Sequence, residues 1–95
     1  MIETPPQAYL HPYDGPVIET VMTAADVQKY CRNKDALACT LFYPAHAGDK
    51  CFIYLPVVGK GGVAPRTQQL LREHEEAHCN GWPRNHPKGA EGTPR

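Results

Sequence analysis

The run Val17-Ile18-Glu19-Thr20-Val21-Met22 follows Gly15-Pro16 and is rich in β-branched residues. Such side chains suit a pleated, half-buried surface, so the run predicts a first strand. Thr23 then stands three positions ahead of Asp26, the spacing at which a hydroxyl caps free helix amides while an acid occupies the first turn. The helix it opens is predicted to reach about Arg32, with Ala24, Val27 and Cys31 recurring on one buried face. Residues 37–43 and 51–55 are two further strand-like runs, joined by Pro44 to Lys50 with Gly48-Asp49 inside, and an antiparallel hairpin is the simplest connection. Pro56 ends the third strand. A last helix opens near Pro65, runs from about Arg66 to Cys79 and stops at Asn80-Gly81, where glycine can take the left-handed conformation. The glycine cluster between them, Gly59-Lys60-Gly61-Gly62, lacks the GxxxxGK[ST] spacing of a phosphate loop and reads as a linker.

The predicted order is β-α-β-β-α, an α+β fold with a small, three-stranded, largely antiparallel sheet packed on two helices. Residues 1–15 hold Pro5, Pro6, Pro12 and Gly15, which suits an extended arm lying on the domain. Residues 16–88 make the single domain, and residues 89–95 read as a flexible tail.

Composition narrows the function classes. A chain of 95 residues has little core to spare, so a metal, staple or partner would help it. The formal charge is zero and no Lys/Arg run is dense, which argues against nucleic acid and anionic membranes as partners. No stretch approaches the roughly 20 apolar residues of a spanning helix, and the first residues lack the pattern of a signal peptide, so a cytoplasmic protein is expected. Cys31, Cys39, Cys51 and Cys79 form no CxxC pair, which weighs against a cysteine-only zinc knuckle. They are expected mostly as small core fillers, reduced in a cytosolic protein and paired in a secreted one, with a Cys39–Cys51 bridge across the hairpin as the alternative and Cys79 packing at the helix end.

The last helix carries the chemistry. Leu70, His74 and His78 are successive i, i+4 neighbours on one face, read as the inward face, with Leu71 and Ala77 beside it. Two neutral imidazoles one turn apart can direct nitrogens to a single ion, and imidazole is a good zinc ligand. Glu75 follows the first of them, offset toward the place of a metal-activated water, where it can act as general base. A catalytic zinc needs a third protein ligand. His86, past the helix stop and Pro83, is the leading candidate; His46, His11, Asp49 and Glu91 are the others. The alternative without metal is a pair of core histidines satisfied by hydrogen bonds.

The stretch His74-Glu75-Glu76-Ala77-His78 matches the HExxH signature and resembles the zincin metallopeptidases. The resemblance covers about thirteen residues, to His86. Gly81 agrees with the longer metzincin pattern, but Arg84 occupies the position of its third ligand, which shifts that role to His86. The segment from His78 to His86 also resembles the ending of short bacterial or phage proteins. The zincin resemblance implies a zinc-dependent peptidase whose sheet edge pairs with an extended peptide or protein substrate. Here that edge is expected at residues 51–55, from Cys51 to Leu55. It also implies a donor to the oxyanion, for which Tyr43, Tyr54 and Arg84 have suitable groups, while Trp82 is expected to close the lower side of the site. Most zincins add a second subdomain, so the competing expectation is a non-catalytic zinc-binding accessory domain. A third is a structural site in which Cys79 joins His74 and His78.

Overall fold

The structure, a computed structural model, describes residues 2–41 and 43–87. Its order is β1 (Val17–Met22), α1 (Ala24–Tyr30), β2 (Cys39–Leu41), β3 (Cys51–Pro56) and α2 (Pro65–Cys79), preceded by a short 3-10 turn at Gln7–Tyr9. The α+β class and the element order agree with the sequence. Thr23 caps α1 by accepting the Asp26 N–H at 3.2 Å. That helix closes early because Arg32 takes a left-handed φ of 56°. Its N–H bonds Lys29 O and the Asn33 N–H bonds Gln28 O, the paired contacts of a Schellman stop.

The sheet is mixed, in the order β1-β3-β2. β2 and β3 form the expected antiparallel hairpin, whereas β1 runs parallel to β3 over the whole register from Val17↔Cys51 to Met22↔Pro56. The crossover through α1 carries the chain past the place next to β1, and the hairpin then inserts β3 there. Residues 51–55 therefore form the central strand. The expectation that they offer a free edge to a peptide is corrected: β3 lies between β1 and β2, with residues 52–54 paired on both sides, and among the described residues the outer edges of the sheet belong to β1 and β2.

Register also decides what each face carries. Cys51, Ile53 and Leu55 alternate onto the α2 side and pack with Leu71, Cys79 and Tyr13 in the main core. Thr40 is the register partner of Ile53 and shares that face, while Cys39 is the partner of Tyr54 on the α1 face. Cys39 and Cys51 thus sit on opposite faces, which removes the bridge considered between them. Instead Cys39 bonds Cys31 at the end of α1, and Cys51 bonds Cys79 at the end of α2. No cysteine is free: Cys51 and Cys79 do fill the core, and all four cysteines form two disulfides, each tying a helix end to the sheet.

The segment ahead of β1 is built into the core, since Tyr9 and Tyr13 are buried. Asn80, fully buried, donates through Nδ2 to Tyr9 O at 3.0 Å and His11 O at 2.6 Å. The Glu76 carboxylate accepts the Tyr13 N–H at 2.9 Å. The arm is thereby laced to the last turns of α2. The expected tail at 89–95, with Glu91, lies outside the described residues. Among the described residues no helix is long and apolar enough to cross a membrane.

Candidate metal centre

α2 opens on Pro65, whose missing N–H costs nothing at the first helical position. It ends at Gly81, with a φ of 104°. There the Gly81 N–H bonds His78 O and the Trp82 N–H bonds Ala77 O, both at 3.0 Å, a second Schellman stop. Its usual apolar contact is also present, because Trp82 packs with Ala77 and Tyr9 in a small second core. This stop turns the chain back under the helix and brings residues 82–86 beneath His74 and His78. The inward face is His74, His78, Leu71 and Ala77, all buried. Leu70, expected in line with the histidines, is 38% exposed; the face is rotated toward Leu71, which meets the sheet.

His74, His78 and His86 each present one ring nitrogen, and these nitrogens lie within 4.8 Å of one another. The three are close enough to hold one metal ion. Behind two of the rings stands a carbonyl, an acceptor only. His74 Nδ1 is 2.8 Å from Glu3 O, and His78 Nδ1 is 2.8 Å from Trp82 O. Each Nδ1 therefore carries a proton, and in the neutral ring, the ligand form, Nε2 is left as a lone pair. His86 Nδ1 faces the Glu3 carboxylate at 3.5 Å, and its Nε2 lies 3.1 Å from His78 Nε2. The His86 Nε2 is close enough to share a proton with His78 Nε2, and in the neutral rings the inward nitrogens are the lone pairs a cation would take. A proton on His86 satisfies only one pair. An ion with bonds of about 2.0–2.1 Å satisfies all three and sets tetrahedral ligands roughly 3.3 Å apart; the His78 and His86 nitrogens stand 3.1 Å apart and the three lie within 4.8 Å, so closing on an ion draws the set together. The donor set of three imidazoles suits zinc and other first-row ions alike.

Burial lowers the His78 pKa from 6.5 to about 4; the Trp82 carbonyl opposes this, and His74, His86 and Arg84 add to it. A neutral ring is the ligand form. The sign of its effect on stability follows for metal-free protein. The unfolded chain binds a proton that folded His78 refuses, so this contribution is complete above pH 6.5 and is lost as pH falls toward 4. It amounts to something on the order of 3 kcal/mol. Urea unfolding in chelator at pH 7 and pH 4.5 is expected to show a steeper acid loss in wild type than in His78→Gln. Equal slopes would contradict the assignment.

Glu75 is also buried. Thr40 Oγ1 donates to Glu75 Oε1 at 2.7 Å and lies 3.1 Å from the Glu75 carbonyl. Burial raises the Glu75 pKa, while the Thr40 hydrogen bond and the charge of His74 pull it back. A cleft of about 300 Å³ joins these groups, lined by β2 from Cys39 to Leu41, the Asn33–Ala38 side, Tyr43, Arg84, Glu75 and the three histidines. The Arg84 guanidinium lies over the Tyr43 ring, 5.0 Å from its centroid. Burial raises the Tyr43 pKa, more than Arg84 lowers it, and Glu75 raises it further. The phenol thus keeps its proton.

Of the oxyanion candidates, Tyr43 and Arg84 reach the cleft and Tyr54 does not. Tyr54 points to the opposite face of the sheet and stacks on Tyr30 at 4.7 Å, because its register position alternates with Ile53. Trp82 walls the site, stacked on His78 at 4.9 Å and on His86 at 4.6 Å. Cys79, disulfide-bonded, has no thiolate for a metal. His46 and His11 are exposed and outside the cluster, and Asp49 pairs with His46. The sequence reading missed Glu3 and Thr40. Nothing local marks either residue; Thr40 becomes findable only once its strand register against Ile53 is known. Searches against protein-family models, curated proteins and solved structures return no match to this chain.

Proposed function

We propose that this protein is a minimal zinc-dependent peptidase of the zincin type, with His74, His78 and His86 as ligands and Glu75 as general base. The observation that carries this reading is the convergence of three imidazole lone pairs, two of them set by carbonyls behind the rings, beside a buried carboxylate in a cleft. Zinc, when bound, supplies Lewis-acid polarisation and makes a water acidic near neutral pH. Glu75, with a raised pKa and one oxygen anchored by Thr40, is suited to take that water's proton and pass it to the leaving amine. The Tyr43 hydroxyl, protonated, and Arg84 line the same cleft and donate to the developing oxyanion. An extended peptide pairs with the free edge of β2, which borders the cleft, rather than with β3. The two disulfides fit an oxidising compartment better than the cytosol.

The second reading, a non-catalytic zinc-binding accessory domain, is favoured by the small cleft and the three-residue β2 that borders it. One experiment separates the two. Protein purified without added metal is expected to hold about one zinc per chain, to cleave unstructured peptides, and to lose and regain that activity on chelation and zinc return. Zinc without cleavage supports the accessory role. Absence of zinc, or cleavage that survives chelation, sinks the peptidase proposal.

A further inference from the structure

We infer that the arm ahead of the sheet is part of the metal centre, with Glu3 as a positioning residue that sets His74 and His86 from behind. This rests on the metal-site reading above and extends it to a segment that no motif marks. Glu3 makes two contacts with the ligand set: its carbonyl accepts the His74 Nδ1–H at 2.8 Å, and its carboxylate lies 3.5 Å from His86 Nδ1. One residue thereby sets the orientation of two ligands that come from different parts of the chain.

Glu3 is held in place on both sides. Ile2 packs against the main core, and Pro5 is buried. Further along, the arm is tied to α2 by Asn80 through the Tyr9 and His11 carbonyls and by Glu76 through the Tyr13 N–H. All these tethers come from the last turns of the helix that carries His74 and His78. The arm is therefore bonded directly to the helix that carries two of the ligands.

His86 is the ligand that most needs such help. His74 and His78 ride on a fifteen-residue helix, whereas His86 sits in a loop with a left-handed φ of 57°, a conformation that costs a non-glycine residue on the order of 1 kcal/mol. Among the described residues its backbone is tied by the hydrogen bond from its N–H to Pro83 O at 2.9 Å. Trp82 fixes the plane of the ring by stacking, but stacking does not choose which nitrogen faces the cluster. The Glu3 carboxylate makes that choice by favouring a proton on Nδ1, which leaves Nε2 free inward. It also places a negative charge behind a site meant for a dication held by neutral ligands, and makes His86 a stronger donor.

The test is zinc affinity by competition with a chromophoric chelator, together with the visible spectrum of the cobalt-loaded protein, on full-length wild type, Glu3→Ala, Glu3→Gln and Glu73→Ala. Glu3→Ala is expected to weaken zinc by about 10–100-fold and to alter the cobalt spectrum, while melting of the metal-free protein stays as in wild type. Glu3→Gln, which keeps an acceptor without the charge, should fall between. The loss should shrink in high salt, because the carboxylate is half-exposed. Glu73, an exposed acid of the same helix, is the control and should change nothing. If wild type binds zinc and Glu3→Ala matches it in affinity and spectrum, or Glu73→Ala weakens binding as much, this inference is overturned and the metal-site reading stands. If wild type binds neither ion, both fall.

Discussion

Glu75→Gln is expected to lower peptide hydrolysis by about 10²–10⁴-fold, the usual contribution of a positioned general base, while zinc content stays at the wild-type level. The substitution is nearly isosteric, and the amide oxygen can still accept from Thr40, so the 2.7 Å contact and the packing around it survive. What disappears is the ability to take a proton. Because the wild-type carboxylate is buried and its pKa raised, the neutral amide is also easier to bury, and the variant should be no less stable than wild type. The measurements are initial rates on an unstructured peptide, zinc per chain, and unfolding free energy. Rates within a few fold of wild type at full zinc occupancy would remove Glu75 from the mechanism and leave the accessory reading in place.

The second large effect concerns stability. Replacing both Cys51 and Cys79 with alanine is expected to cost ~3.5 kcal/mol, the loop-closure contribution for a bridge spanning 28 positions. The Cys31–Cys39 bridge, spanning 8 positions, should be worth ~2.5 kcal/mol on the same basis. For a domain of this size the first loss lowers the melting temperature by roughly 15–25 °C, a large fraction of the stability such chains possess. The bridge also bears on the site, since Cys79 follows His78 directly and pins the end of the ligand helix to the start of the central strand. Thermal melts of wild type, the double variant and reduced wild type provide the check. A melting temperature unmoved by either change would show that the bridge adds nothing.

Much of this architecture is legible along the chain, for local reasons. Thr23 with Asp26, and Gly81 behind Asn80, are cap signals whose chemistry acts within a turn, and both sit at observed helix ends. The i, i+4 spacing of His74 and His78 places them on one face of any helix, and the stop signal at Asn80-Gly81 points to His86 because it returns the chain toward them. Leu70 lies off the inward face because a helix's inward direction depends on what it packs against: the sheet lies on the Leu71 side. Tyr54 lies outside the cleft for a related reason. Strand alternation says that it opposes Ile53, but not which of the two faces the ligand helix.

The sequence by itself therefore determined the elements, their order, and the His74–His78 pair with His86 as its leading third candidate, because periodicity, caps and ligand spacing are short-range properties. Tertiary structure alone decided that β3 lies between β1 and β2, that Cys31 meets Cys39 and Cys51 meets Cys79, and that Thr40 meets Glu75 and Glu3 stands behind two imidazoles. Each of these depends on strand register or on contacts between distant segments. Glu3 and His74 are 71 positions apart, and only the packed core brings them within hydrogen-bonding distance.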